Sequence, residues 1–179
     1  MATAAQTDPR YPVGKFEKPS QVTDAQRREA IATIAAMPAK LKAAVAGLNA
    51  QQLATPYRDG GWTVAQVVHH LADSHGNAFF RFKFGMTEQN PTIKPYDEAK
   101  WAETADCKDV PAEVSLAIVD GLHQRWNALL KSMQPADFAR PLFHPEHGSI
   151  TLDYMLALYS WHSRHHVGHI TALRQRNGW

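Results

Sequence analysis

Histidines are the residues of this chain whose type and spacing could support chemistry. Of the 10 histidines, seven fall within residues 62–75 and 160–169. His162 and His166 are four positions apart, so on an α-helix both imidazoles project from one face. Such a pair can bind one metal ion, and a histidine from another helix could complete a tetrahedral or five-coordinate site.

The histidine pair lies in an otherwise apolar helical stripe. This stripe, whose period predicts a core-facing side of the helix, consists of Met155, Tyr159, His162, His166, His169 and Leu173. A buried imidazole without a partner costs about 1–3 kcal/mol. The rings therefore need either a metal ion or backbone and carboxylate partners, and spacing alone leaves both open. His165 and His169 share the spacing but lie nearer the edge of the stripe, so they rank second.

A zinc peptidase of the HExxH type is not predicted, because Ser163 rather than glutamate follows His162. The upstream segment could supply the third ligand from a polar strip on one side of its helix, formed by His70, Ser74, Asn77 and Arg81. His69 points to the opposite side, where it would pack or bond to a neighbour. Asp73 could accept a hydrogen bond from the second ring nitrogen of a metal-binding histidine. A solvent-facing salt bridge is an equal alternative for this residue.

Four long helices are predicted to position these residues. Their starts carry capping signals, such as the capping-box spacing of Thr23 with Gln26. The first helix continues after a kink or short break at Pro38, and the others span residues 63–84, 110–133 and 151–176. No convincing alternating strand pattern occurs. The predicted fold is an all-α, four-helix up-down bundle with long connecting loops at 85–109 and 135–148.

Composition places the chain among globular proteins. A hydrophobic content of 44% over 179 residues fits one domain spanning 1–179, with 1–22 as an extended, proline-containing arm. We expect a cytoplasmic protein, since no apolar run could span a membrane and the N-terminus lacks the pattern of a secretory signal. The net charge of +2 without a basic, aromatic-rich cluster gives no reason to expect nucleic-acid binding. The single cysteine, Cys107, excludes an internal disulfide.

Residues 62–74, WTVAQVVHHLADS, and residues 161–166, WHSRHH, carry the most distinctive patterns of the chain. Together with the Gly60-Gly61 turn and the Arg81-Phe82-Lys83 sequence, they resemble the DinB-like superfamily, and within it the YfiT-type branch. The resemblance extends over nearly the whole chain. It implies a four-helix bundle, usually a homodimer, with one divalent ion per subunit, zinc or nickel. It also implies three ligands, which match His70, His162 and His166 here.

The resemblance implies an enzyme as well. Members of the branch are described as metal-dependent hydrolases, and related members as transferases that join the thiol bacillithiol to electrophiles. An open three-histidine site suits both reactions, with metal-bound water or thiolate as the nucleophile. We predict transfer of a small thiol to an electrophile, with hydrolysis of a small substrate as the alternative. A non-catalytic, metal- or ligand-binding stress protein is the second alternative.

Four residues are candidate substrate contacts. Asn77 and Arg81 continue the polar strip beside the predicted metal site, and Lys94 and Tyr96 lie in the long loop that the resemblance places at the mouth of the site. The remaining histidines are expected at the surface, namely His75, His123, His144 and His147. The sequence leaves open which thiol is used and whether His165 or His169 contributes to the site.

Overall fold

The computed structural model describes residues 8–179, so the first part of the predicted N-terminal arm lies outside the described residues. In chain order the elements are α1 (Asp24–Val45), α2 (Ala50–Leu53), α3 (Val64–Thr87), α4 (Glu98–Trp101), α5 (Ala105–Asp109), α6 (Ala112–Ser132), α7 (Pro135–Phe138), β1 (Pro141–His144), β2 (Gly148–Thr151) and α8 (Leu152–Asn177). The four long helices α1, α3, α6 and α8 form a bundle. The predicted all-α, four-helix bundle is confirmed.

Two short strands are an addition that the sequence did not predict. β1 and β2 form an antiparallel hairpin in which Leu142 pairs with Ile150. Each strand has four residues, which is too short for an alternating pattern to stand out from a loop. The predicted loop at 85–109 likewise contains the short helices α4 and α5.

The bundle helices begin where the sequence offers capping groups. Thr23 and Thr63 each form a capping box, with Gln26 and Gln66 respectively, and these boxes satisfy backbone N–H groups that have no partner inside the helix. Thr151 accepts a hydrogen bond from the backbone of Tyr154 at the start of α8. Local sequence therefore sets the starts of three of the four bundle helices.

Pro38 does not interrupt the first helix, contrary to the predicted kink or break. α1 continues through it to Val45. Proline has no N–H, so the carbonyl of Ile34, four residues earlier, has no partner within the helix. That carbonyl instead accepts a hydrogen bond of 2.9 Å from Nδ1 of His123 on α6. A tertiary contact thus replaces the missing helical hydrogen bond.

Contacts along the helices show their relative directions. Arg27 pairs with Asp153 near the starts of α1 and α8, and Arg174 donates to the carbonyl of Ala44 near their ends, so these two helices run parallel. By contrast, a side chain at Gly85, near the end of α3, would meet Leu152 at the start of α8. α3 and α8 are therefore antiparallel.

α3 and α6 also run parallel to each other. His69 contacts Ser115 and, further along both helices, His75 contacts His123. The helix directions are thus up, down, down, up rather than the alternation of a simple up-down bundle. The reason is the connection 88–111, which runs along the bundle from the end of α3 to the opposite end, where α6 begins.

Buried apolar side chains form two clusters along the bundle. One surrounds Trp126 and Phe82, and the other contains Leu41 and Val68. Between them, α3, α6 and α8 carry buried histidines instead of apolar residues. In the described part of the chain, no helix is both long and apolar enough to cross a membrane.

The segment 8–22 has no helix or strand and lies against α8. Trp161 donates a hydrogen bond of 3.0 Å to the carbonyl of Gly14, and Nε2 of His169 lies 3.3 Å from the carbonyl of Arg10. Gly168 allows this close approach, because a side chain there would meet Pro12. The segment therefore covers the side of α8 next to the histidines.

Candidate metal centre

Three imidazoles from two helices come together in the middle of the bundle. His70 lies on α3, and His162 and His166 lie on α8, and one ring nitrogen from each is within 4.8 Å of the other two. Nε2 of His70 and Nε2 of His162 are 3.2 Å apart. Two nitrogens that each lie 2.0–2.1 Å from one tetrahedral zinc ion would be about 3.3 Å apart. The spacing therefore fits a single ion.

The availability of ring nitrogens also fits a metal ion. Nδ1 of His166 is buried and has no hydrogen-bond partner among the described residues. Burying such a nitrogen unpaired is costly. A metal ion bound at this nitrogen would remove that cost. Nδ1 of His165 and Nδ1 of His169 are unpaired in the same way, so the convergence of the three rings, and not this orphaned atom, singles out His166.

Burial keeps all three imidazoles neutral. It lowers the pKa of His70 to about 4, and the nearby His165 and His169 act in the same direction. Burial also holds the pKa values of His162 and His166 well below the usual range, with smaller contributions from the neighbouring histidines. The neutral imidazole is the form that binds metal ions. The cluster is therefore ready to bind an ion at neutral pH without first losing protons.

An open cavity of about 530 Å³ exposes these rings, a volume within the range of small-molecule sites. The turn at residues 57–62 and the connection at residues 96–98 contribute to its walls. The indole of Trp62 lies against His70, with ring centroids 4.6 Å apart. A small substrate could thus reach the three histidines.

His165 and His169 line the same cavity beside the three central rings. His169 stacks on Tyr57 with a centroid distance of 4.0 Å, and His165 stacks on Trp161 at 4.3 Å. Neither belongs to the group whose nitrogens converge. Their placement suits walls of the cavity better than ligands.

His75 and His123 were expected at the surface, and that prediction is wrong. They are 0% and 1% exposed. Each follows a buried apolar residue by four positions, Leu71 and Val119 respectively, and this spacing is the sequence signal that could have placed them in the core. His75 Nε2 lies 3.2 Å from Nδ1 of His162, so the two rings form a second layer behind a candidate ligand.

His144 is also less exposed than predicted, at 9%, because its ring is tucked against the hairpin turn. Its Nδ1 accepts a hydrogen bond from the backbone of Glu146. His147 is exposed, as expected. His144, Glu146 and His147 form a second group whose ligand atoms lie within 4.8 Å of one another.

Of the four predicted substrate residues, the structure brings Tyr96 to the cavity. Burial raises its pKa to about 12, partly opposed by a hydrogen bond to Ser74, so the phenol keeps its proton. Arg81 donates to the carbonyl of Lys94 and thereby fastens the long connection to α3. Asn77 donates to the carbonyl of Asp73 on its own helix. The other three predicted substrate residues, Arg81, Lys94 and Asn77, do not line the cavity.

Asp73 is not placed behind a ligand. It is half-buried, and burial, together with the charge of Asp106, raises its pKa to about 6. Asp106, whose charge contributes to this shift, lies on α5. Arg58, which sequence reasoning did not select, lines the mouth of the cavity. No pattern marked it, because an arginine in a polar turn is ordinary.

Comparison with known proteins places this architecture in a family. A model of the DinB superfamily matches residues 23–170. The chain belongs to the DinB superfamily. Within it, a protein of Geobacillus thermodenitrificans named "Putative metal-dependent hydrolase" is 54% identical over 172 residues, covering 95% of this chain and 96% of the relative. YfiT of Bacillus subtilis, named in the same way, is 48% identical over 170 residues, covering 94% and 96%.

The solved structure of a relative 48% identical to this chain agrees with this membership. The structure of Bacillus subtilis YfiT, described as "a probable metal-dependent hydrolase with an unusual four-helix bundle topology", has a TM-score of 0.92, covering 96% of this DinB superfamily chain and 98% of YfiT. Another four-helix bundle protein has a TM-score of 0.54 at 19% identity, covering 83% of this chain and 98% of its own, and supports the fold alone.

Proposed function

We propose that this DinB superfamily member is a metal-dependent enzyme in which His70, His162 and His166 hold one divalent ion, zinc or nickel, per subunit. The observation that carries the proposal is the convergence of three neutral imidazoles at the wall of an open cavity. The names of the two relatives, which both include metal dependence, support it.

The reaction we favour is transfer of a small thiol to an electrophile. A divalent ion would supply Lewis-acid activation, enough to bring the pKa of water to about 7 or to deprotonate a thiol. The three histidines are neutral, so they add no negative charge that would repel a thiolate. Arg58 at the mouth of the cavity can pair with an anionic group of the thiol, and the protonated phenol of Tyr96 can donate a hydrogen bond to the electrophile.

Hydrolysis is the second candidate, and the names of the relatives favour it. A hydrolase commonly uses a carboxylate or an imidazole to accept the proton of the attacking water. In the described part of the chain, Glu98 is the one carboxylate that lines the cavity, and it is exposed. His165 and His169, which line the cavity beside the three central rings, would then be the candidate bases. A binding module without catalysis is the third outcome.

The experiment that separates these candidates uses purified protein loaded with zinc or nickel. It is mixed with a generic electrophile or an ester, with and without several cellular thiols. Turnover that requires a thiol supports transfer, and product release without any thiol supports hydrolysis. If metal-loaded protein shows neither, the enzyme proposal is wrong. His166→Ala is the control that should lose both the ion and the turnover.

We further propose a homodimer in the cytoplasm. Exposed apolar residues on the adjacent helices α3 and α6 support a partner surface, with Phe80 56% and Ile118 52% exposed. Large apolar side chains exposed on neighbouring helices offer area that a second copy of the chain could cover. Sedimentation should give about twice the 20.0 kDa of one chain, and a purely monomeric species would contradict the dimer.

A further inference from the structure

A line of hydrogen bonds runs from the backbone of α1 to the candidate metal centre. Nδ1 of His123 lies 2.9 Å from the carbonyl oxygen of Ile34. Nε2 of His123 lies 2.9 Å from Nδ1 of His75, and Nε2 of His75 lies 3.2 Å from Nδ1 of His162. The line thus crosses all four bundle helices and ends on a candidate ligand.

The carbonyl at one end determines the direction of every bond in the line. A carbonyl only accepts, so Nδ1 of His123 carries the proton there. A neutral imidazole has one donor and one acceptor nitrogen, so Nε2 of His123 must accept from Nδ1–H of His75. Nε2 of His75 must in turn accept from Nδ1–H of His162. Nε2 of His162 is then left without a proton, and this is the atom 3.2 Å from His70.

The helix interior makes that terminal carbonyl available. In a regular helix the carbonyl of Ile34 would accept from the N–H of residue 38, and residue 38 is a proline without one. The hydrogen bond from His123 replaces the missing donor. Pro38 therefore explains why a carbonyl inside α1 can anchor a side chain of another helix.

Packing keeps the two middle rings from turning. The rings of His75 and His123 lie end to end and nearly coplanar, at an interplanar angle of 21° with centroids 5.0 Å apart. The indole of Trp126 meets both rings edge-on, at 5.7 Å from His75 and 5.6 Å from His123, and Tyr159 meets His75 edge-on at 5.4 Å. Rings enclosed in this way cannot exchange their nitrogens without moving the core.

We propose that His75 and His123 are positioning residues that hold His162 in the tautomer with Nδ1 protonated, leaving Nε2 free to bind the divalent ion. The proposal rests on the metal centre proposed above. The hydrogen bond made by one ring nitrogen decides which nitrogen of a histidine can bind a metal. Because the acceptor behind His162 is a neutral imidazole rather than a carboxylate, the ligand stays weakly basic and the ion keeps more of its charge.

The first test needs no metal. Nitrogen NMR of the metal-free protein with labelled histidine rings reports which nitrogen of each ring carries the proton. His162, His75 and His123 should all be protonated at Nδ1. A His162 ring protonated at Nε2 in the unsubstituted protein would overturn the proposal, whatever the result of any metal measurement.

The second test measures zinc affinity by competition with a chelator. His75→Leu removes the acceptor behind His162 and should weaken binding by about 10- to 100-fold, the range found for residues that orient metal ligands. His75→Gln keeps an acceptor and a donor and should restore most of the affinity. The matched control is His69→Leu, which replaces another buried histidine of α3 whose ring bonds to Ser115 instead, and it should bind zinc as the unsubstituted protein does.

The outcomes separate this proposal from the metal centre itself. Equal zinc affinity in His75→Leu and His69→Leu would show that His75 only fills space, and this contradicts the positioning role. If the unsubstituted protein binds no divalent ion, the proposed function fails, and the ring NMR still decides whether the line of tautomers exists. Circular dichroism of each variant checks that the bundle has folded.

Discussion

Two groups of possible metal ligands each have their ligand atoms within 4.8 Å of one another, but they differ in burial and in the contacts that hold their side chains. His70, His162 and His166 lie on two long helices, beside a cavity and with a line of hydrogen bonds behind one ring. The other group, His144 with Glu146 and His147, lies on a hairpin turn where two of its three members are exposed. Nearness of ligand atoms is therefore not enough to distinguish a metal site.

The difference lies in what holds the rings before any ion arrives. A ring on a packed helix has few rotamers, and a hydrogen bond at its second nitrogen fixes both its orientation and its tautomer. An exposed ring must give up rotamer freedom when it binds. In the hairpin group, Nδ1 of His144 already accepts a backbone hydrogen bond. We expect stoichiometric metal binding at the first group and none at the second.

The largest effect should come from removing a ligand of the first group. His70→Ala should weaken zinc or nickel binding by more than about 100-fold, above the range for residues that only orient a ligand, and should abolish turnover. His147→Ala removes a member of the hairpin group and should leave both unchanged. Metal analysis after dialysis measures this. Retention of the ion by His70→Ala and its loss from His147→Ala would reverse the comparison.

A second effect concerns stability against pH in the metal-free protein. Burial lowers the pKa of His123 to about 4, against 6.5 when free. Between these values the unfolded chain binds a proton at this position and the folded chain does not, so the free energy of unfolding falls as the pH falls from about 6.5 towards 4. One such group contributes up to about 1.4 kcal/mol per pH unit.

Urea unfolding at several pH values in the presence of a chelator measures the slope of the free energy of unfolding against pH. His123→Leu should lower that slope by up to about 1.4 kcal/mol per pH unit, even if the variant is less stable at every pH. The slope should not vanish, because burial also lowers the pKa of His70, His165 and His169. Val119→Ala provides the control, since it removes buried apolar volume from the same helix but no titrating group, and it should leave the slope as it is. Equal slopes in the unsubstituted protein and in His123→Leu would show that His123 is not kept neutral by the fold.

The sequence predicts those parts of the fold that helical periodicity and capping residues encode, namely the buried helix faces and the helix starts. The i, i+4 spacing placed His162 and His166 on one helix face, and capping residues located the helix starts. Periodicity says which face of a helix is buried and nothing about its direction, so the parallel pairing of α3 with α6 was not predicted. His75 and His123 lie in register with buried residues, but histidine is more often exposed than buried, so residue type alone predicts the surface for both.

Burial alone does not make a histidine a ligand, and His69 offers a smaller effect that distinguishes the two. His69 is 4% exposed and sits beside His70 in sequence, yet its Nδ1 bonds to Ser115 on α6 at 2.8 Å. His69→Ala should lower the free energy of unfolding by about 1–3 kcal/mol, since it leaves a small cavity and an unpaired serine hydroxyl. The ion should stay bound. Loss of the ion from His69→Ala in a metal titration, with retention by His70→Ala, would show that the two neighbours have exchanged roles.

The smallest effect is expected at the far end of the hydrogen-bonded line. Pro38→Ala supplies an N–H that can donate to the carbonyl of Ile34, the same oxygen that accepts from His123. A carbonyl oxygen has two lone pairs, so it can accept both hydrogen bonds, and the ring of His123 need not move. The gained helical hydrogen bond and the greater freedom of the unfolded chain act in opposite directions.

We therefore expect Pro38→Ala to change the free energy of unfolding by less than about 1 kcal/mol and to leave zinc affinity nearly unchanged. Ring NMR should still show His123 protonated at Nδ1. A loss of zinc affinity as large as that in His75→Leu would mean that the carbonyl cannot serve both donors. In that case the metal centre would require a proline at position 38, because any N–H there would displace His123 from the carbonyl of Ile34.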